Sequence, residues 1–145
     1  MKIAIGTDHR GVDIKNKIID HFKDKYEMID CCYDSHDGDD YPDYAFRVCE
    51  KIQKKEADFG ILICGTGIGM SIAANKAKGI RCALVHNEDE ASLARMHNDA
   101  NIIAFGSYNK IEDMFKWVDI FINEDTSKRE ERHIRRVNKI IKYEE

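Results

Sequence analysis

Apolar runs and amphipathic stretches take turns along the whole chain. Lys2–Gly6 reads as a strand, and Val12–Lys25, with Ile14, Ile18, Ile19 and Phe22 at helical spacing, as a helix. Glu27–Asp30 is a short second strand, followed by a polar, acidic loop over Cys32–Asp40. Tyr41–Lys55 is helical, its apolar face built by Ala45, Val48, Cys49 and Ile52. Phe59–Cys64 is apolar on both faces, as a central parallel strand covered on two sides must be. A glycine-rich turn leads to a predicted helix over Ser71–Lys78 and a fourth strand over Ile80–Val85. Asn87 with Glu90 makes a capping-box-like start for a helix through Met96. Ile102–Phe105 is the fifth strand, and Ile111, Met114, Phe115, Val118, Phe121 and Ile122 mark the next amphipathic helix. Ser127 and Glu130 form a second box, predicted to open a last helix reaching about Lys142.

Strand–helix alternation with short connections predicts an α/β sandwich on a mostly parallel sheet of five strands, with residues 1–145 as one domain. In such sheets a ligand sits outside the carboxyl ends of the strands. Composition narrows the partners. The 145 residues carry 23 Lys plus Arg against 27 Asp plus Glu, a net charge of −4, which gives nucleic acid or an anionic membrane nothing to hold. No apolar run approaches the ~18 residues of a membrane span. Met1 runs straight into the first strand, so a signal peptide is not expected and a cytoplasmic protein is. Five cysteines without a C-x-x-C pair fit neither a disulfide framework nor a zinc ribbon. Cys31, Cys32, Cys49 and Cys82 read as small buried hydrophobes.

Polar residues fall where the ligand rule places them. Asp8 and His9 follow the first strand, Cys64 and a glycine loop the third, and His86 the fourth; His97 and Asn98 come just before the fifth. These groups are expected on one rim. The loop Gly65-Thr-Gly-Ile-Gly69 lacks the spacing of a dinucleotide fingerprint and the Gly-Lys-Ser/Thr ending of a P-loop. A cysteine phosphatase would need arginine at position 70, where this chain has Met70. What remains is a set of backbone N–H groups, at a helix start, suited to an anion or a developing oxyanion. Cys64 sits immediately before it, in a field that favours thiolate, as nucleophile or general base. In the last helix Arg129, Arg132 and Arg136 share one stripe, and Arg132 with Arg136 could grip one phosphate or form a solvated face.

Together these residues resemble the B-type ribose-5-phosphate isomerase family, with the related isomerases of galactose 6-phosphate and allose 6-phosphate. The carriers are Ile5-Gly-Thr-Asp-His9, Asp40-Tyr-Pro-Asp-Tyr44, Ile63–Lys76, Gly79-Ile-Arg81, His97-Asn-Asp-Ala-Asn101, Arg132-His133 and Arg136-Val137. The resemblance implies a Rossmann-like three-layer α/β/α sandwich and reversible aldose–ketose isomerisation of a phosphorylated sugar without metal or organic cofactor. It implies Cys64 as the proton-transferring base, Thr66 on the reacting oxygens and His97 as the ring-opening acid. Asp8 and Asn98 then meet sugar hydroxyls, His9, Arg132 and Arg136 the phosphate, and the amides of Gly65, Thr66, Gly67, Ile68 and Gly69 the enediolate. It also implies a homodimer, or a dimer of dimers, whose sites combine two chains. Cys64 and the glycine loop follow a central strand whereas His97-Asn98 closes a helix in the other half of the domain, so the second pair is expected to come from the partner.

The chain departs from that family at Tyr108, where an arginine often joins the phosphate site, and Glu130-Glu131 replaces a glycine pair. Arg10, at a position where small or apolar residues are common, could restore the charge. The acidic run Asp37–Asp40 lacks EF-hand spacing and reads as a solvated loop. A hexose 6-phosphate isomerase, a cysteine-nucleophile hydrolase and a non-catalytic sugar-phosphate sensor are the competing readings. The intact Cys64 and His97 set speaks against the last.

Overall fold

The computed structural model describes residues 1–145. Five strands, β1 (Lys2–Thr7), β2 (Glu27–Asp30), β3 (Phe59–Cys64), β4 (Cys82–Leu84) and β5 (Ile102–Gly106), form one sheet in the order β2-β1-β3-β5-β4. Every pairing is parallel, so the mostly parallel sheet expected is wholly so. Six helices join them: α1 (Val12–Phe22), α2 (Tyr41–Gln53), α3 (Ile68–Ala74), α4 (Glu88–Asn98), α5 (Ile111–Asn123) and α6 (Glu131–Tyr143).

Side chains alternate across the pleat and divide the core in two. Ile3, Ile5, Ile61, Ile63, Ile103 and Phe105 face α1, α4 and α5, where Phe22, Trp117 and Phe121 pack on them. Ala4, Leu62, Cys64, Ile102 and Ala104 face the other way, onto Tyr44, Val48 and Cys49 of α2 and Met70, Ala73 and Ala74 of α3. Cys64 therefore belongs to the α2–α3 side. α6 lies outside this sandwich, packed on α4.

The strand order places the topological switch between β1 and β3. From β1 the chain winds outward to β2; from β3 it winds the other way, to β5 and β4. A crevice opens outside the carboxyl ends of two strands whose connections diverge in this way. Those ends carry Asp8-His9 and Cys64-Gly65.

Three boundaries differ from the sequence reading. α3 runs from Ile68 to Ala74 rather than over Ser71–Lys78, because left-handed Gly67 (φ +80°) starts the helix early and the chain turns out before Gly79 (φ +77°). β4 pairs only over Cys82–Leu84. The predicted box of Ser127 and Glu130 does not form. Asp125 accepts from the Ser127 amide at 3.0 Å and caps a separate turn over Thr126–Lys128, so α6 begins at Glu131 without a side-chain cap. The Asn87 cap on α4 does form, accepting from the Glu90 amide at 2.8 Å. The return bond of Glu90 goes one residue further back, to the His86 amide at 2.6 Å.

Candidate active site

The parallel crossover from β3 brings Cys64 to the end of its strand, only 5% exposed. Its Sγ accepts from the Gly67 amide at 3.2 Å, while Thr66 Oγ1 accepts from the Ile68 amide at 3.2 Å. The amides of Gly65, Thr66 and Gly69 donate to no acceptor in the chain, so they are free to meet a negative oxygen. Only glycine fits at position 67. Its φ is +80°, and a Cβ there would stand 2.7 Å from the Phe105 carbonyl carbon.

β1 supplies the neighbouring groups. Asp8 is 5% exposed and caps a single turn over His9–Gly11, accepting from the Arg10 amide at 3.0 Å. The Arg10 guanidinium has no ion-pair partner and lies against the glycine loop: a Cβ on Gly65 would stand 2.6 Å from its Nη1. Tyr108 packs its ring over Gly106, beside the Gly65 carbonyl. Arg10 and Tyr108 therefore both border the glycine loop. His9 is tied through Nδ1 to Asp39 at 2.7 Å, which raises its pKa above the ordinary imidazole value. Asp8, His9 and Asp39 are also the one grouping whose ligand atoms, all within 4.8 Å of one another, could meet a metal ion; both carboxylates already accept amide hydrogens.

The second set of expected residues lies elsewhere. α4 descends antiparallel to the strands, so His97 and Asn98 close it at the amino edge of the sheet. Gly60 pairs with Ile102 and Cys64 with Gly106. Those four steps at roughly 3.3 Å alone separate the two rims by ~13 Å. The expectation of a single rim is therefore corrected, because a helix that follows a strand returns to the other end. His97 stacks on His133 of α6, ring centres 4.0 Å apart and 17° from parallel. Burial, with the charges of His97 and Arg132, lowers the His133 pKa. Arg132 pairs with Glu130 at 3.0 Å, and Arg136 is exposed without an acidic partner. Arg129 leaves the predicted stripe. It turns inward to the Met96 carbonyl (3.0 Å) and Asp99 (3.6 Å), tying the segment before α6 to the end of α4.

The chain thus sets the expected site residues in two separate groups. One, at the carboxyl rim, has Asp8, His9, Cys64, Thr66 and the loop amides; the other, at the amino rim, has His97, Asn98, Arg132 and Arg136. Two residues escaped the sequence reading as contributors. Asp39 sat in a loop whose composition looked solvated. His133 was visible only as part of a motif, although its place one turn before Val137 on the buried stripe was a usable signal.

The chain is similar to known proteins along most of its length. The ribose-5-phosphate isomerase B of Escherichia coli is 48% identical over 107 residues, 73% of this chain and 72% of that one. The structure of Clostridium thermocellum ribose-5-phosphate isomerase B superposes with a TM-score of 0.93 at 42% identity, over 99% of this chain and 97% of that one. That of the Mycoplasma genitalium ribose-5-phosphate isomerase B with bound ribulose-5-phosphate does so with a TM-score of 0.92 at 42% identity, over 99% and 95%. A family model described as Ribose/Galactose Isomerase matches residues 3–140, and with nearly the whole length covered the chain belongs to that family.

Proposed function

We propose that this protein is a sugar-phosphate isomerase that interconverts ribose 5-phosphate and ribulose 5-phosphate through an enediolate. The observation that carries the reading is Cys64 at the β1/β3 switch point, followed by amides with no acceptor of their own, in a fold 42% identical to one that binds ribulose-5-phosphate. Cys64, as thiolate, takes the proton from C2 of the open-chain aldose and returns it to C1, while a proton moves from O2 to O1. The negative charge that builds on the oxygens in between is met by the Gly65, Thr66 and Gly69 amides. Gly67 and Ile68 shape the loop, their amides held on Cys64 and Thr66. With Thr66 Oγ1 accepting from Ile68, its hydroxyl hydrogen is left to donate to the reacting oxygens. Asp8 takes a sugar hydroxyl. Neither a metal nor an organic cofactor enters, and the whole of residues 1–145 acts as one catalytic domain.

The two half-sites of one chain face opposite ends of the sheet, so a complete site needs two copies. In a two-fold dimer the amino rim of one chain meets the carboxyl rim of its partner. His97 of the second chain then opens the furanose ring as an acid. Asn98 binds a hydroxyl, and Arg132 with Arg136 holds the phosphate together with His9. No helix is long and apolar enough to cross a membrane; we place the enzyme in the cytoplasm, with a phosphorylated sugar and its own second copy as partners.

A coupled assay comparing ribose 5-phosphate with allose 6-phosphate, run in deuterated water and again after dialysis against EDTA, tests the reading. Turnover of the pentose, exchange of its C2 hydrogen with solvent and indifference to the chelator are expected. Preference for the hexose would reassign the substrate. An acyl- or phosphoryl-cysteine in place of exchange would make the protein a hydrolase, and loss of activity restored by a divalent ion would bring in a metal.

A further inference from the structure

In the loop between β2 and α2 one carboxylate is buried: the Asp39 side chain is 2% exposed. Its Oδ2 accepts from the Ser35 hydroxyl at 2.7 Å and the His36 amide at 3.0 Å. Its Oδ1 accepts from the His9 amide at 3.1 Å and meets His9 Nδ1 at 2.7 Å. The one side chain in this set able to balance its charge is the imidazole of His9, and a buried carboxylate gains most when a hydrogen-bonded cation matches it.

The surroundings agree. Hydrogen bonding to Asp39 raises the His9 pKa, the Asp8 and Asp39 charges add to it, and burial and Arg10 oppose it. Burial would push the Asp39 carboxyl up, but the bonds from Ser35, His9 and His36 hold it well below the usual carboxylate range. Tyr44, on α2, is pushed up to about 12 by burial and by the Asp39 carboxylate, so it stays neutral. With Nδ1 committed to Asp39, Nε2 is the ring nitrogen of His9 that has no partner in the chain.

We infer that Asp39 is a positioning residue for substrate binding: it clamps His9 as an imidazolium whose Nε2–H is turned to the substrate phosphate. This rests on the reading of His9 as a phosphate contact and adds the reason why that contact carries charge. A sugar phosphate loses its second proton near pH ~6. An unassisted histidine, with a pKa of ~6.5, would lose its charge over nearly the same range. The Asp39 clamp separates the two, so dianion and imidazolium coexist.

Histidine titration by NMR, with KM and kcat measured across pH 6–9, tests the inference. In the unaltered protein His9 should titrate clearly above ~6.5; a midpoint at or below that value overturns the proposal without any variant. In Asp39→Asn the His9 midpoint should fall toward the ordinary imidazole value of ~6.5. KM for ribose 5-phosphate at pH 8 should rise about tenfold, with kcat within about twofold, since the phosphate is held alike in ground and transition states. An Asp39→Asn protein with unmoved His9 titration, or with a moved midpoint and unmoved KM, contradicts it. His9→Ala separates the two levels. If it leaves KM unchanged, the phosphate reading of His9 is wrong; if it raises KM while Asp39→Asn does not, the clamp alone is wrong.

Discussion

Cys64 differs from the other thiols by what surrounds it. Burial pushes Cys31 up to about 11 and both Cys32 and Cys49 up to about 12, and Cys82 is pushed up as well, so all four stay protonated and inert at neutral pH. Cys64 ends a strand, with Gly67 donating to its sulfur and unsatisfied amides beyond. Cys64→Ala should lower kcat by about 10²–10⁴ while KM moves little, read from steady-state kinetics. Turnover close to that of the parent would remove it as the base. Arg10 is the second test at this scale. Its guanidinium lies on Gly65 without an acidic partner, on the rim that also carries Tyr108. Arg10→Ala should raise KM about tenfold at constant kcat, the cost of a charge-assisted bond at a partly exposed site. An unchanged KM means that the phosphate is held without it.

Helices and strands were legible because their periods differ, and the chain keeps each period cleanly. The boundaries that moved did so at residues whose conformation depends on contacts remote in sequence. Gly67 turns left-handed where the loop passes the backbone of Phe105, and Asp125 captures Ser127 before a capping box can form. The order β2-β1-β3-β5-β4 rests on pairings between distant segments, which periodicity does not encode. The opposite rims of Cys64 and His97, by contrast, follow from helix direction alone and could have been read. Helix packing also carries a pH dependence. His133 holds α6 to α4 through its stack on His97, and burial lowers its pKa below the unfolded value. The unfolded chain therefore binds the proton first, and stability should fall as pH drops through ~6.5. Urea midpoints at pH 7.5 and 5.5 measure it; the difference should shrink in His133→Gln. An equal difference in the variant would place the acid sensitivity elsewhere.

At the scale of the whole molecule the two rims make a sharp experiment. Cys64→Ala chains and chains carrying both His97→Ala and Asn98→Ala are each inactive under this scheme. Unfolded together and refolded, about half of the dimers are mixed, and each mixed dimer has one intact site and one doubly damaged one. Roughly a quarter of the parent activity should return. If both groups served the same chain's site, every site would stay damaged and the mixture would remain as inactive as its parts.

The placement of those rims, one at each end of a single sheet, gives the proposed two-chain site a mass-action signature. Under that proposal a lone chain cannot bring the two sets of groups together, so the rate law contains the protein's own concentration. Specific activity should hold constant until the protein is diluted toward the dimer dissociation constant, then fall in proportion to the fraction still paired. In the proposed dimer the sugar phosphate touches both copies and so binds the pair rather than the separate chains. It should therefore shift that midpoint to greater dilution, by an amount set by the ligand concentration over its own Kd.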